Sequence, residues 1–358
     1  MVFGLNFYYS LFYSYLVSCY CRDNNYGVHT ALILFSPVFI VWLILCGGQY
    51  EVGTDYESYI DLFSGGDLHR YIFKGEILFV YIVNLCNNVG LRGQALFYIF
   101  YFINFIFLAL IIKRFKSRQL FLFVLLYIVV TSLFNNQLNI LRQTTACYIG
   151  SYAGMLIFEN KRKKGFLFIV ISFMIHNAAI VYLLIPLLNK IVRNLTINKL
   201  VIILIVCSIV GMTFNINFFL NFIPYLPADY AWHIQGGAVE DRQNFLIIMK
   251  YIYFPLYLLS LYHFSKRKEN FKRIKVIFNW GILAYALRLL VVNFTVISRI
   301  FDFFLIFSIF PLLFYLHNIS IMRKNLYYLI IAYLIAIYSA KVLLFPVREY
   351  AYKSIYFL

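Results

Sequence analysis

Long apolar runs alternate along this chain with short polar connections. A helix of roughly 20 apolar residues crosses a hydrocarbon core of about 30 Å. Runs of that order fall at residues 3–21, 30–48, 94–112, 119–134, 144–158, 200–222, 246–264, 276–295, 299–316 and 325–345. The pattern predicts an all-α polytopic membrane bundle of about 10 to 12 crossings, folded as a single domain over residues 1–358. Two segments break the count. Residues 76–91 are short and interrupted by Asn84, Asn87 and Asn88, which predicts an interfacial or re-entrant helix. Residues 166–191 have basic clusters at both ends and are too short for two full spans, which predicts two half-helices meeting near His176 and Asn177. Irregular backbone at membrane depth is tolerated only where it faces protein or a water-filled cavity, so this break marks a candidate site.

Charge orients the runs. Lys113, Arg114, Lys116 and Arg118 form one basic cluster, residues 161–164 a second, and Lys190, Arg193 and Lys199 a third; further ones lie at 266–275 and at Arg323 and Lys324. Lysine and arginine beside spans mark the cytoplasmic side. Glu51, Asp55, Glu57, Asp61, Asp67, Glu76, Asp229, Glu240 and Asp241 fall in the intervening connections, so the loops near 49–75 and 223–245 are expected on the periplasmic side, with the N-terminus. Residues 3–21 lack a basic leader and a small-x-small cleavage site and therefore read as a helix rather than a cleaved signal.

Composition narrows the classes further. Hydrophobic residues make up 63% of the chain and charged ones only 13%, against about a quarter charged in a soluble domain. No sizeable soluble domain fits beside the spans. The net charge of +17 sits in the clusters that flank them, which points to lipid headgroups as partners and away from nucleic acid. The six cysteines have neither metal-ligand spacing nor companion histidines and read as small hydrophobes. A phosphate-binding glycine loop, a zinc-protease motif and a nucleophile elbow are all absent from the sequence, and no metal or other cofactor is expected.

Charges inside spans are costly, so those present carry information. They are Arg142, Lys250, Arg288, Arg299, Asp302 and Lys341, with His176 as a titratable neighbour. The cationic bias favours an anionic ligand. Arg142 lies in a polar stretch with Asn139 and Gln143, whose amides suit sugar hydroxyls while the guanidinium suits phosphate oxygens; the alternative is a polar turn whose arginine snorkels to the interface. Arg288 and Asp302 flank a tight connection and are expected to pair, while Arg299, at the outer end of its helix, is placed to meet the same anion. A polar, acidic patch follows the second run: Val52-Gly53-Thr54-Asp55-Tyr56, with Tyr59 beyond it. Asp55 there is either a general base or the residue that closes the Gly53–Thr54 turn. Gly150 and Gly154 have the spacing of a close helix contact.

Taken in order, these points resemble the EpsG-like branch of the Wzy-type O-antigen and surface polysaccharide polymerases of the bacterial inner membrane. The resemblance runs over roughly residues 30–310 and rests on the 52–56 motif with Tyr59, Glu76 opening the next segment, residues 139–143, His176 after a basic loop, and residues 299–304. One departure stands out: Gln49 occupies a place where the family often has arginine, which leaves one cationic phosphate contact either missing or supplied by Arg70, Lys74 or Arg242. The resemblance implies a glycosyltransferase that polymerises undecaprenyl-diphosphate-linked repeat units at the periplasmic face, from a lipid-linked donor to a lipid-linked acceptor. It implies Asp55, His176 and Arg142 as catalytic residues, and Arg299, Arg288, Glu76, Tyr56, Tyr59, Asn139 and Gln143 as substrate contacts. A chain-length regulator protein is an implied partner. An O-antigen ligase and a lipid-linked oligosaccharide flippase are the rival readings.

Overall fold

A computed structural model of the chain describes residues 2–53, 55–63, 66–213, 247–293, 295–344 and 352–357. Thr54 and the loop 223–245, with Asp229, Glu240, Asp241 and Arg242, lie outside the described residues. The regular elements described are helices, as an all-α membrane bundle requires. They group into two compact units, Met1–Pro186 with Leu316–Leu358, and Leu187–Tyr315.

The first unit opens with α1 (Val2–Asp23) and α2 (Val28–Gly47), followed by three short helices, α3 (Tyr56–Asp61), α4 (His69–Phe73) and α5 (Ile77–Asn88). Next come α6 (Gln94–Ile112), α7 (Leu120–Leu126) with a π turn at Tyr127–Thr131, α8 (Leu133–Asn136), α9 (Leu141–Phe158) and α10 (Arg162–Ile175). After a 3₁₀ stretch at Asn177–Leu183 lie α11 (Leu184–Asn194) and α12 (Ile197–Thr213), then α13 (Phe254–Ser265), α14 (Lys268–Leu290), α15 (Thr295–Phe301), α16 (Leu305–Met322) and α17 (Lys324–Leu344). Helices α2 and α6 and the stretches Ser298–Met322 and Lys324–Leu343 are long and apolar enough to cross a membrane.

Both irregular segments are short helices. At 12 residues α5 is about 18 Å long, well under a hydrocarbon core. α10 stops at Ile175, where His176 turns extended at φ −150° and ψ 120°. No proline or glycine forces that stop; a side chain from the connection before α5 does, as described below. The run at 119–134 differs from a plain span, because the π turn ends in Ser132 at φ 56°, a left-handed residue that breaks the helix before α8.

The core of the first unit is aromatic. Trp42 is fully buried, packs its ring against Phe35, Phe39, Phe105, Tyr127 and Phe134, and donates its indole N–H to Ser10 Oγ at 2.8 Å. Beside it a buried polar layer joins loops to helices: the Tyr101 hydroxyl shares its one proton between Gln49 Oε1 at 3.1 Å and the Gln137 carbonyl at 3.0 Å, and Gln49 Nε2 donates to the Leu138 carbonyl at 3.1 Å. Gly150 leaves the space that the Tyr182 ring fills; Tyr182 in turn donates its hydroxyl to the Cys147 carbonyl at 2.8 Å. Residues 352–357 come back over the end of α2. Tyr50 N–H donates to the Lys353 carbonyl at 3.1 Å, Ile355 N–H to the Gly48 carbonyl at 2.9 Å, and Gln49 and Ser354 form an antiparallel bridge. Lys353 Nζ adds an ion pair to Glu51 at 2.6 Å.

In the second unit α12 and α14 approach closely at Gly211, against the Leu289 carbonyl, and α14 meets α16 at Gly281, against Pro311 and the Phe307 carbonyl. Tyr257 and Tyr285 stack with centroids 3.8 Å apart. Arg288 Nε lies 3.7 Å from Asp302 Oδ1, the pair expected across the tight connection. A 3₁₀ turn at Asp302–Phe304 divides what the sequence presents as a single run from 299.

Candidate functional site

The first unit gathers Glu76, Arg142 and His176 from three separate elements. Glu76 is placed by the end of α4. Gly75, at φ 79°, takes the left-handed position past that helix, and its N–H and that of Glu76 cap the Ile72 and Tyr71 carbonyls at 2.9 Å each. This turn points the carboxylate of Glu76 inward, where only 1% of the residue is exposed.

A carboxylate so buried needs partners, and both of its oxygens have them. Oε2 pairs with Arg142 Nη1 from the first turn of α9. Oε1 lies 3.1 Å from His176 Nδ1 and accepts the Asn177 N–H at 3.2 Å. The second bond explains why α10 ends where it does, since the N–H freed by the extended His176 finds a side-chain oxygen in place of a helical carbonyl. Burial alone would raise the Glu76 carboxyl; the hydrogen bond with His176, the charges of Arg142 and His176 and the Asn177 N–H together outweigh it and hold the group below the usual glutamate range. The stabilisation from this cluster is therefore complete above the ordinary glutamate value of about 4.3 and is lost as pH falls through the lowered one.

Arg142 is held over aromatic faces. Its guanidinium carbon lies 4.5 Å from the Tyr71 centroid, 5.0 Å from Phe79 and 5.9 Å from Tyr59. The side chains of Arg142 and His176 remain 20% and 22% exposed while Glu76 is sealed beneath them, so the cation and the imidazole are the groups that a ligand can touch.

The 52–59 motif borders this cluster. Gly53 sits at φ 81°, and a Cβ there would lie 2.9 Å from Asn139 Cα. Asn139 Oδ1 accepts the Asp55 N–H at 3.3 Å, and no side-chain cap bond joins Asp55 to the first turn of α3. Tyr56 donates to Gln94 Oε1 at 3.0 Å, and Gln94 Nε2 donates to the Gly47 and Gln49 carbonyls, which fixes the loop from its other side. Tyr59 Oη accepts the Arg142 N–H at 3.5 Å. Burial raises the Tyr59 phenol, opposed by the Arg142 charge and reinforced by that of Asp55. Gly53→Ala is expected to cost about 1–2 kcal/mol from the left-handed backbone alone and to push Asn139 away from Asp55. Thermal unfolding in detergent together with the yield of long polymer would measure it.

Asp55, Tyr56, Tyr59, Glu76, Asn139, Arg142 and His176 thus share one region of the first unit, with Gln143 buried next to Arg142 on α9. Arg288 and Arg299 belong to the second unit, Arg299 on the exposed end of α15. The carboxylate that touches His176 is Glu76, a role the sequence does not announce; its one local signal is an acid directly after Gly75 at the head of an apolar helix. The arginine place in the motif is filled by Gln49, which is fully buried and bonded within the protein.

Fold and site define a polytopic helical membrane protein with a sealed carboxylate holding an arginine and a histidine. The profile of the EpsG family matches residues 32–354, and the chain belongs to this family of polysaccharide polymerase-type membrane proteins. No curated protein and no solved structure matches it.

Proposed function

We propose that the chain is a glycosyltransferase that polymerises undecaprenyl-diphosphate-linked oligosaccharide units into a surface polysaccharide at the periplasmic face of the bacterial inner membrane. The observation that carries this reading is the shared carboxylate of Glu76, with His176 Nδ1 on one oxygen and Arg142 on the other. A neutral imidazole that donates through Nδ1 has its lone pair on Nε2, the arrangement of a general base. In the reaction an acceptor sugar hydroxyl attacks the anomeric carbon of the donor. Its proton passes to His176 Nε2, and Glu76 stabilises the resulting imidazolium. The bond from the anomeric carbon to the diphosphate oxygen breaks, and the departing diphosphate carries the electron pair away beside the Arg142 guanidinium. Asp55, Tyr56, Tyr59, Asn139 and Gln143 serve as sugar contacts.

The test is the polysaccharide ladder of cells lacking the gene. A polymerase leaves lipid core bearing one repeat unit, whereas loss of a ligase leaves core alone. Purified protein in nanodiscs should extend lipid-linked units and release polyprenyl diphosphate. Movement of labelled lipid-linked units across vesicles without chain extension would replace this reading with a flippase.

A further inference from the structure

Tyr71 on α4 has two cations on its ring. The Arg142 guanidinium carbon is 4.5 Å from its centroid and that of Arg70 is 4.6 Å from it, so the two lie no farther apart than those distances together. Arg70 Nη2 donates to the Tyr71 hydroxyl at 2.5 Å, which ties the side chain to the ring. Tyr71 is itself buried against Phe79 in an edge-on contact with centroids 5.0 Å apart.

The two arginines differ in their counter-charges. Arg142 has Glu76, whose second oxygen is already taken by His176 and Asn177. Arg70 is exposed, and among the described residues no carboxylate pairs with it. The nearby Asp67 accepts the His69 N–H at 2.8 Å instead. Two guanidinium groups held on one ring, with Glu76 the one carboxylate paired with either among the described residues, are built for an anion with two charged groups.

We infer that Arg70 is the second arm of a diphosphate cradle around Tyr71, with Arg142 taking one phosphoryl group and Arg70 the other, so that the site distinguishes diphosphate from monophosphate. This rests on the glycosyl-transfer reading for the identity of the anion, but its test reads binding and not polymer.

The experiment titrates the full chain in nanodiscs with inorganic diphosphate and, separately, with inorganic phosphate. Wild type is expected to prefer diphosphate at least tenfold. Arg70→Gln should lose about tenfold in diphosphate affinity while phosphate binding changes less than twofold. Arg70→Lys, which keeps charge but not the fork, should fall between, and Arg118→Gln in a cytoplasmic basic cluster should match wild type. Competition against a labelled polyprenyl diphosphate in the same nanodiscs identifies the source: an equal loss for lipid and free ion assigns the cradle to the lipid headgroup, and a loss for the free ion alone assigns it to released diphosphate. Equal affinity of wild type for the two anions, or an Arg70→Gln protein that binds diphosphate as wild type does, overturns the cradle. Either result leaves the polymerase reading standing, because the ladder of cells lacking the gene tests that reading separately.

Discussion

His176→Gln is expected to abolish long polymer, with a rate loss of about 10²–10⁴-fold, the range for removal of a general base. Glutamine has a side-chain amide able to meet Glu76 Oε1 in place of Nδ1, so the end of α10 and the protein level should survive. What it lacks is a basic ring nitrogen to take the hydroxyl proton. Rates of unit addition by purified protein, with binding of the donor measured alongside, separate the two effects. Donor binding at wild-type strength with no extension identifies His176 as the base. An ordinary ladder from His176→Gln cells at normal protein levels would remove it from the mechanism and return the role to Asp55.

The second large effect is expected from Arg142→Lys. An ammonium keeps the charge but not the planar fork, and it does not spread over the Tyr71 and Phe79 faces in the same way. Lysine would also leave part of the buried Glu76 charge without a well-directed donor. A charge-assisted hydrogen bond contributes about 1.5–3 kcal/mol, which corresponds to roughly a 10- to 100-fold weaker donor interaction. The loss should appear both in donor affinity and in extension rate, since a leaving diphosphate needs the same cation more than a bound one does. Normal extension by Arg142→Lys would reduce Arg142 to an interfacial anchor.

Much of the helical frame is legible in the chain because membrane helices are written in long local runs. The run 94–112 coincides with α6, and 30–48 lies within two residues of α2. The break at His176 is also legible, since basic clusters at both ends of a 26-residue segment admit few other solutions. The partner of His176 is not. Glu76 and Asn177 are 101 residues apart, and their contact depends on how α5 and α10 pack, which no local pattern encodes. Asp55 draws attention because it lies in a compact motif, yet its N–H is taken by Asn139, 84 residues away, an arrangement likewise invisible in the spacing of 52–59. The cage of Tyr71, Phe79 and Tyr59 around Arg142 is hidden for a related reason: in a chain with 21% aromatic residues, three more rings carry no signal until they converge.

The antiparallel strap at 352–357 sets a timetable. Its Lys353 meets Glu51 across 302 residues of sequence, and Tyr352 donates its hydroxyl to the Leu45 carbonyl across 307. Chains emerge from the ribosome N-terminus first, so α1 to α17 can all be inserted while the segment leading into Asp55 still lacks its outer neighbour. Closing so long a loop costs only slightly more entropy than closing a shorter one, but it cannot happen before residues 352–357 are made. Synthesis itself thus delays completion of the segment that leads into the site, and a chain interrupted anywhere in α17 would sit in the membrane with its helices in place and its 48–51 segment unclasped.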